Sequence, residues 1–132
     1  MNLIDKLAFI SVKDQKVLCA RSEGKDKFYI PGGKREPGES DQEGLIREVD
    51  EELGVSLDPA TIRFYGNFEA QAHDKPVGVK VKMQCYTADY NGVASACSEI
   101  EEIDWLGMEH LEIVAPVDIL IFKDLNKRGW IS

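Results

Sequence analysis

The stretch "REVDEELG", residues 47–54, places four acids within five positions: Glu48, Asp50, Glu51 and Glu52. It reads as a helix end closed by Gly54, where the backbone dipole is negative and disfavours added negative charge. At about 100° per residue, with Glu48 as zero, Glu51 falls at about −60° and Glu52 at about +40°. Asp50 falls at about 200°, away from the other three, and is expected to be a solvated bystander. Glu48, Glu51 and Glu52 therefore share a face beside the apolar stripe of Leu45, Ile46, Val49 and Leu53. Arg47 is the only Lys or Arg between residues 41 and 53. A divalent cation would relieve the repulsion, and hard cations such as Mg²⁺ prefer oxygen ligands. The alternative for the acids taken alone is a solvated acidic helix.

The residues upstream decide between the two. "PGGKREPGE", 31–39, is a Gly/Pro-rich loop that ends at a helix start. Ser40 and Glu43 form a capping-box pattern there. Gly32 and Gly33 permit close approach of a ligand or metal. Gly44, on the acid face, is expected to make room for close packing.

Residues 33–55, "GKREPGESDQEGLIREVDEELGV", resemble the Nudix box. Gly33, Glu39, Arg47, Glu48, Val49, Glu51, Glu52, Gly54 and Val55 each fit a constrained position of that motif. The resemblance implies an α/β fold, a Nudix-type α/β/α sandwich with a mixed β-sheet between helices. It also implies divalent-metal-dependent hydrolysis of a nucleoside diphosphate linked to another moiety, with Mg²⁺ as cofactor and Mn²⁺ as a substitute. By that similarity Glu48, Glu51 and Glu52 are metal ligands, with the Gly33 carbonyl as a further one. Arg47 would orient the carboxylates. Glu39 would hold the loop to the helix or bind an outer metal through water, and Lys34 would contact a phosphate. The general base varies in this family. A box glutamate is favoured here, with Glu102 as runner-up among the distal acids Glu99, Glu101, Glu102 and Asp104.

These residues must be carried by the elements around them. "LAFISV" (7–12) and "KVLCAR" (16–21) are predicted to form a hairpin, and "KFYI" (27–30) a short strand into the glycine loop. A helix is predicted over 41–53. In 61–71 the alternation puts Ile62, Phe64, Phe68 and Ala70 on one face. In 77–86 it turns Val77, Val79, Val81, Met83 and Cys85 inward. A last strand (102–106) and a helix (116–129) complete the pattern of one domain over 1–132. One of Phe28 and Tyr29 is expected to face the core and the other to stack on a base or ribose. Arg21 could reach a phosphate or stand exposed at its strand end. His73 and His110 carry no catalytic pattern, and Trp105 reads as core.

The formal net charge of −8 argues against a nucleic-acid polymer or an anionic membrane as partner. A small nucleotide fits, because a metal can supply positive charge locally. Three widely spaced cysteines, Cys19, Cys85 and Cys97, suggest reduced thiols and a cytoplasmic protein. No signal peptide or membrane span is expected. The apolar run Ile119–Phe122 hints at a homodimer. A MutT-like (d)NTP pyrophosphohydrolase, acting on standard or oxidised nucleotides, is the leading expectation. An ADP-ribose or nucleotide-sugar pyrophosphatase and a non-catalytic nucleotide sensor are the alternatives.

Overall fold

The computed structural model describes residues 3–132. Its strands are β1 (Leu3–Ile10), β2 (Val12–Lys13), β3 (Lys16–Ser22), β4 (Gly32–Gly33), β5 (Ser56–Leu57), β6 (Arg63–Gln71), β7 (Lys80–Thr87), β8 (Tyr90–Asn91) and β9 (Ile100–Leu106). Helix α1 spans Asp41–Leu53 and α2 spans Pro116–Lys127. A four-stranded mixed sheet runs β4-β1-β7-β6, with β1 and β7 parallel. A second sheet runs β2-β3-β9, and β5 pairs with β8.

Alternation along β1 explains the layering. Leu7 and Phe9 pack with Leu45, Val49 and Leu53 of α1, whereas Ala8 and Ile10 pack with Val117, Ile121 and Phe122 of α2. The sheet is thus buried on both faces, as the α/β/α expectation requires.

Several expectations change. The hairpin is confined to β2 and β3, turning at Asp14 and Gln15, both at positive φ. β1 instead pairs with β4 on one edge and β7 on the other, which puts it inside the four-stranded sheet. Residues 27–30 form isolated bridges and not a strand. Tyr29 exchanges two 2.8 Å bonds with Ala20, Phe28 bridges to Val114, and Pro31 accepts from the Phe9 amide at 2.8 Å. This extended segment stitches the two sheets together and delivers Gly32 and Gly33 to β1. In β6 a register shift between Phe64 and Gly66 makes Tyr65 the extra residue of a bulge. Phe68 and Ala70 therefore pack on the α2 side, Ile62 lies in the α1-side cluster, and Phe64 is 58% exposed. Val77 lies outside β7 and is 99% exposed, while Val81, Met83 and Cys85 point inward. Helix α2 ends at Lys127, and Gly129 beyond it has the positive φ of a chain leaving a helix.

Candidate active site

Helix α1 begins as its sequence dictates. Ser40 Oγ accepts from the Glu43 amide at 3.1 Å, and the Ser40 amide donates to Glu43 Oε1 at 2.9 Å. Gly54, left-handed at φ 69°, ends it. Its last carbonyls are neutralised from outside. The amides of Ser95 and Cys97 donate to Leu53 and Glu52 at 3.0 Å, and Ser98 Oγ donates to the Glu51 carbonyl at 3.0 Å. Loop 95–98 thereby offsets the negative helix end beneath the acids.

Arg47 organises the acid face. Its guanidinium donates to Glu39 at 2.7 and 2.9 Å, to Glu48 at 2.8 Å, to Glu51 at 3.3 Å and to the Lys34 carbonyl at 3.0 Å. The Arg47 side chain is also 2.8 Å from Glu36. These bonds hold Arg47 well above its ordinary pKa, with Glu39 the largest contributor. Glu39 is correspondingly held at about 2 by Arg47 and by the Glu36 amide. Glu39 thus ties the glycine loop to α1.

Glu52 points the other way. It accepts from the Gly32 amide at 2.9 Å, and burial pushes its carboxyl up to about 7 against that bond, with Glu48 adding to the rise. Glu48 is also raised, by burial first, with Arg47 opposing and Glu51 reinforcing. The glycines explain the close approach. A Cβ on Gly33 would land on the Glu48 carboxylate, and one on Gly32 would land on the Leu7 carbonyl. At Gly44 a Cβ would crowd Leu7 and Glu39, in keeping with the expected close packing.

These groups border a cleft of about 610 Å³. Glu48, Glu52, Gly33, Lys34 and Tyr29 line it. Glu51 does not: it stands half-exposed against Arg47 and Glu48. Phe28 is buried in the core and Tyr29 borders the cleft. Arg21 is already engaged. It donates to Glu102 at 2.9 and 3.1 Å, to Glu101 at 3.1 Å and to the Lys25 carbonyl at 3.0 Å. Neither Arg21 nor Glu102 borders the cleft, because β3 and β9 pair Arg21 directly with Glu102. Of the distal acids, Glu99 does border it. Trp105 is half-buried against the α1-side core, and His110 Nδ1 accepts from the Gly107 amide at 3.0 Å.

Sequence reasoning missed two residues in the same cleft. Asp118 on α2 is fully buried. Its Oδ1 accepts from the Ile30 amide at 3.1 Å, and its Oδ2 has no hydrogen-bond partner. Burial pushes its carboxyl up to about 7. Lys6 on β1 lines the cleft too, with its pKa lowered by burial against the opposing pull of Asp118. A signal for Asp118 was available: it shares the i, i+3, i+4, i+7 stripe of Ile121, Phe122 and Leu125.

The donor set suits a divalent cation. Glu48, Glu51 and Glu52 offer hard oxygens, and two of them are crowded enough to resist ionisation without added positive charge. All three cysteines are free, Cys19 and Cys85 buried. Among the described residues no helix is long and apolar enough to cross a membrane.

Known proteins resemble the whole chain. The CTP pyrophosphohydrolase of Escherichia coli (strain K12) is 31% identical over 130 residues, covering 93% of this chain and 91% of that protein. The human 8-oxo-dGDP phosphatase NUDT18 is 41% identical over 56 residues, which is 41% of this chain and only 17% of its own length. The solution structure of the E. coli ORF135 protein superposes with a TM-score of 0.76 at 27% identity, covering 98% of this chain and 92% of that one. A MutT NUDIX hydrolase from Burkholderia pseudomallei gives 0.77 at 18% identity over 93% and 98%. The family model of the NUDIX domain matches residues 5–125 and so takes in the acid face, the glycine loop and Asp118 together; the chain belongs to the Nudix hydrolase family.

Proposed function

We propose that this Nudix hydrolase is a (d)NTP pyrophosphohydrolase that uses Mg²⁺, with Mn²⁺ as a substitute. The observation that carries the reading is the cleft itself. Its lining gathers Glu48, Glu52, the Gly33 backbone, Lys6, Lys34, Tyr29 and Asp118. A polyphosphate with a base attached fits such a lining. The bound ion supplies charge neutralisation and a more acidic water.

The chain's own groups do the rest. Glu48, Glu51 and Glu52, with the Gly33 carbonyl, would hold the ion. Arg47 fixes Glu48 and Glu51 against one another, and Glu39 fixes Arg47. A proton leaving the attacking water goes to a box glutamate. Glu48, Glu51 and Glu52 are the box candidates for that role, and Glu52 already accepts from the Gly32 amide. Glu99 is the distal acid placed to substitute for it, in preference to Glu102. Lys34 and Lys6 line the cleft and meet phosphate charge. Tyr29 offers an aromatic face to the base or ribose.

Asp118 is the candidate for reading the base edge. A carboxylate can accept from cytosine N4, and its unpaired Oδ2 is buried, so a base must uncover that oxygen to use it. The similarity to a CTP pyrophosphohydrolase makes cytosine nucleotides the first to try.

The test is a panel of NTPs, dNTPs, oxidised dNTPs and ADP-ribose with Mg²⁺ or Mn²⁺, read as pyrophosphate or phosphate release. Pyrophosphate from a triphosphate is expected. Tight nucleotide binding with no turnover of any member would replace this reading with a nucleotide sensor.

A further inference from the structure

A second cluster of ligand-bearing side chains lies apart from the acid face of α1. Asp26, on the loop after β3, and His73 and Asp74, on the turn between β6 and β7, place one ligand atom each within 4.8 Å of one another. His73 Nε2 stands 2.8 Å from Asp26 Oδ1 and 3.4 Å from Asp74 Oδ1. The other Asp74 oxygen lies 4.0 Å from Lys25 Nζ. Among the described residues this is the group of three whose donor atoms converge so closely.

We propose that Asp26, His73 and Asp74 form a second divalent-metal site, of Zn²⁺ type, that clips two loops together at the cleft mouth. The donor set selects the ion. One imidazole nitrogen and two carboxylate oxygens suit a borderline transition metal, whereas the all-oxygen set on α1 suits Mg²⁺. The spacing agrees. Bonds of about 2.0–2.2 Å in a tetrahedral site separate neighbouring ligand atoms by about 3.3–3.6 Å. The observed 3.4 Å separation already fits, and the 2.8 Å one must open by about 0.5–0.8 Å. A fourth position stays open to water.

Both arms are held by bonds outside the cluster. Arg21 donates to the Lys25 carbonyl at 3.0 Å, fixing the loop that carries Asp26. Gln71 fixes the turn: its amide nitrogen donates to the Pro76 carbonyl at 2.9 Å, and its oxygen accepts from the Gly78 amide at 3.0 Å. The ligands are thus presented on prearranged loops, which lowers the ordering cost of binding. His73 and Asp74 border the cleft, so an ion there would restrain its mouth.

The chain has two histidines, which makes the test clean. The full chain is titrated with Zn²⁺ in excess Mg²⁺, by calorimetry and by NMR of the imidazole protons. One Zn²⁺ site is expected, with His73 resonances shifting and His110 resonances still. Glu52→Gln should leave that site intact. His73→Ala and Asp26→Asn should each weaken it more than about 10-fold. Zn²⁺ binding unchanged in both of those variants, or lost in Glu52→Gln, or absent from the wild type, overturns the proposal. None of these readouts requires turnover, so they stand whatever nucleotide the enzyme takes.

Discussion

Two regions of the cleft lining, the acid face of α1 and the first turn of α2, hold buried carboxyls of similar basicity, reached by different routes. On the acid face, Glu52 sits with Glu48 and Glu51 on one helix, and the cluster has its own counter-charge in Arg47. On α2, Asp118 stands fully buried with one oxygen bonded to the Ile30 amide and the other unpaired. Burial raises both to about 7. The acid face is a group of charges awaiting a cation. Asp118 is a single buried carboxyl with one oxygen unpaired, and the Ile30 amide and the charge of Lys6 offset the cost of its ionisation only in part. The first arrangement supports chemistry on phosphates. The second supports discrimination, since a polar site left unpaired by a wrong ligand penalises it.

The strongest way to break this division is at Glu52. Glu52→Gln keeps an acceptor for the Gly32 amide but removes the charge. The expected loss in kcat is about 10²–10⁴-fold. The metal-free variant should melt higher than wild type at pH 8, because it no longer ionises a buried carboxyl there. Near-normal turnover would remove Glu52 from the machinery. Next in size is Arg47→Lys. A lysine keeps the charge but cannot bond Glu39, Glu48, Glu51 and the Lys34 carbonyl together. A fall in kcat of about 10–100-fold is expected, with little change in base preference. Wild-type kinetics in that variant would mean that the acids order themselves without a planar fork.

Asp118→Asn tests the other region, and its first readout is pH. The native carboxyl titrates at about 7, well above its ordinary value of 3.8. Between those values the unfolded chain has lost the proton and the native one keeps it. Wild-type stability should therefore fall as pH rises from about 4 to about 7, by about 1.4 kcal/mol per unit from this group at most. Glu52 adds a slope of the same sign, so the informative quantity is the variant-minus-wild-type difference in urea unfolding. That difference should climb through the window and level off above it. The second readout is selectivity: the variant's preference among bases should change while Mg²⁺ dependence does not. A flat difference curve would show that Asp118 is solvated in the native protein.

The same contrast explains what was legible in the sequence. The acid face is local. Its loop, cap, stripe and carboxylates fall within residues 33–55, so helical periodicity and the loop together point to Glu48 and Glu52 and set Asp50 apart, whereas Glu51 stands outside the cleft. The α/β/α layering was also legible, from alternating strands around two amphipathic helices. The rest of the lining was not: Tyr29 was one of two candidates, and Lys6 and Asp118, from β1 and α2, meet it only in the fold. Asp118 was hidden by its place. An acid in the first turn after Pro116 satisfies the helix dipole and draws no suspicion. Arg21 and Glu102 were each read singly, whereas cross-strand pairing makes them partners. The bulge at Tyr65 inverted half of β6, and no periodicity analysis registers an extra residue.

The smallest expected effect is the sharpest control, because it lies on the same helix and removes the same charge as Glu52→Gln. Asp50 is exposed, and its backbone carbonyl accepts from the Gly54 amide at 2.9 Å. Its side chain does not border the cleft. In Asp50→Asn the backbone bond is untouched and one negative charge leaves the C-terminal turn. The dipole argument gives a gain of about 0.3–0.5 kcal/mol in stability, and kcat and KM should stay at wild-type values. Two acids two residues apart would then respond in opposite ways, one indispensable and one slightly harmful. That outcome ties function to the angular position of a carboxylate about the helix axis and not to the charge of the segment. A large loss of activity in Asp50→Asn would mean that the whole acidic end acts as one field, and the separation of Asp50 from its neighbours would have no functional meaning.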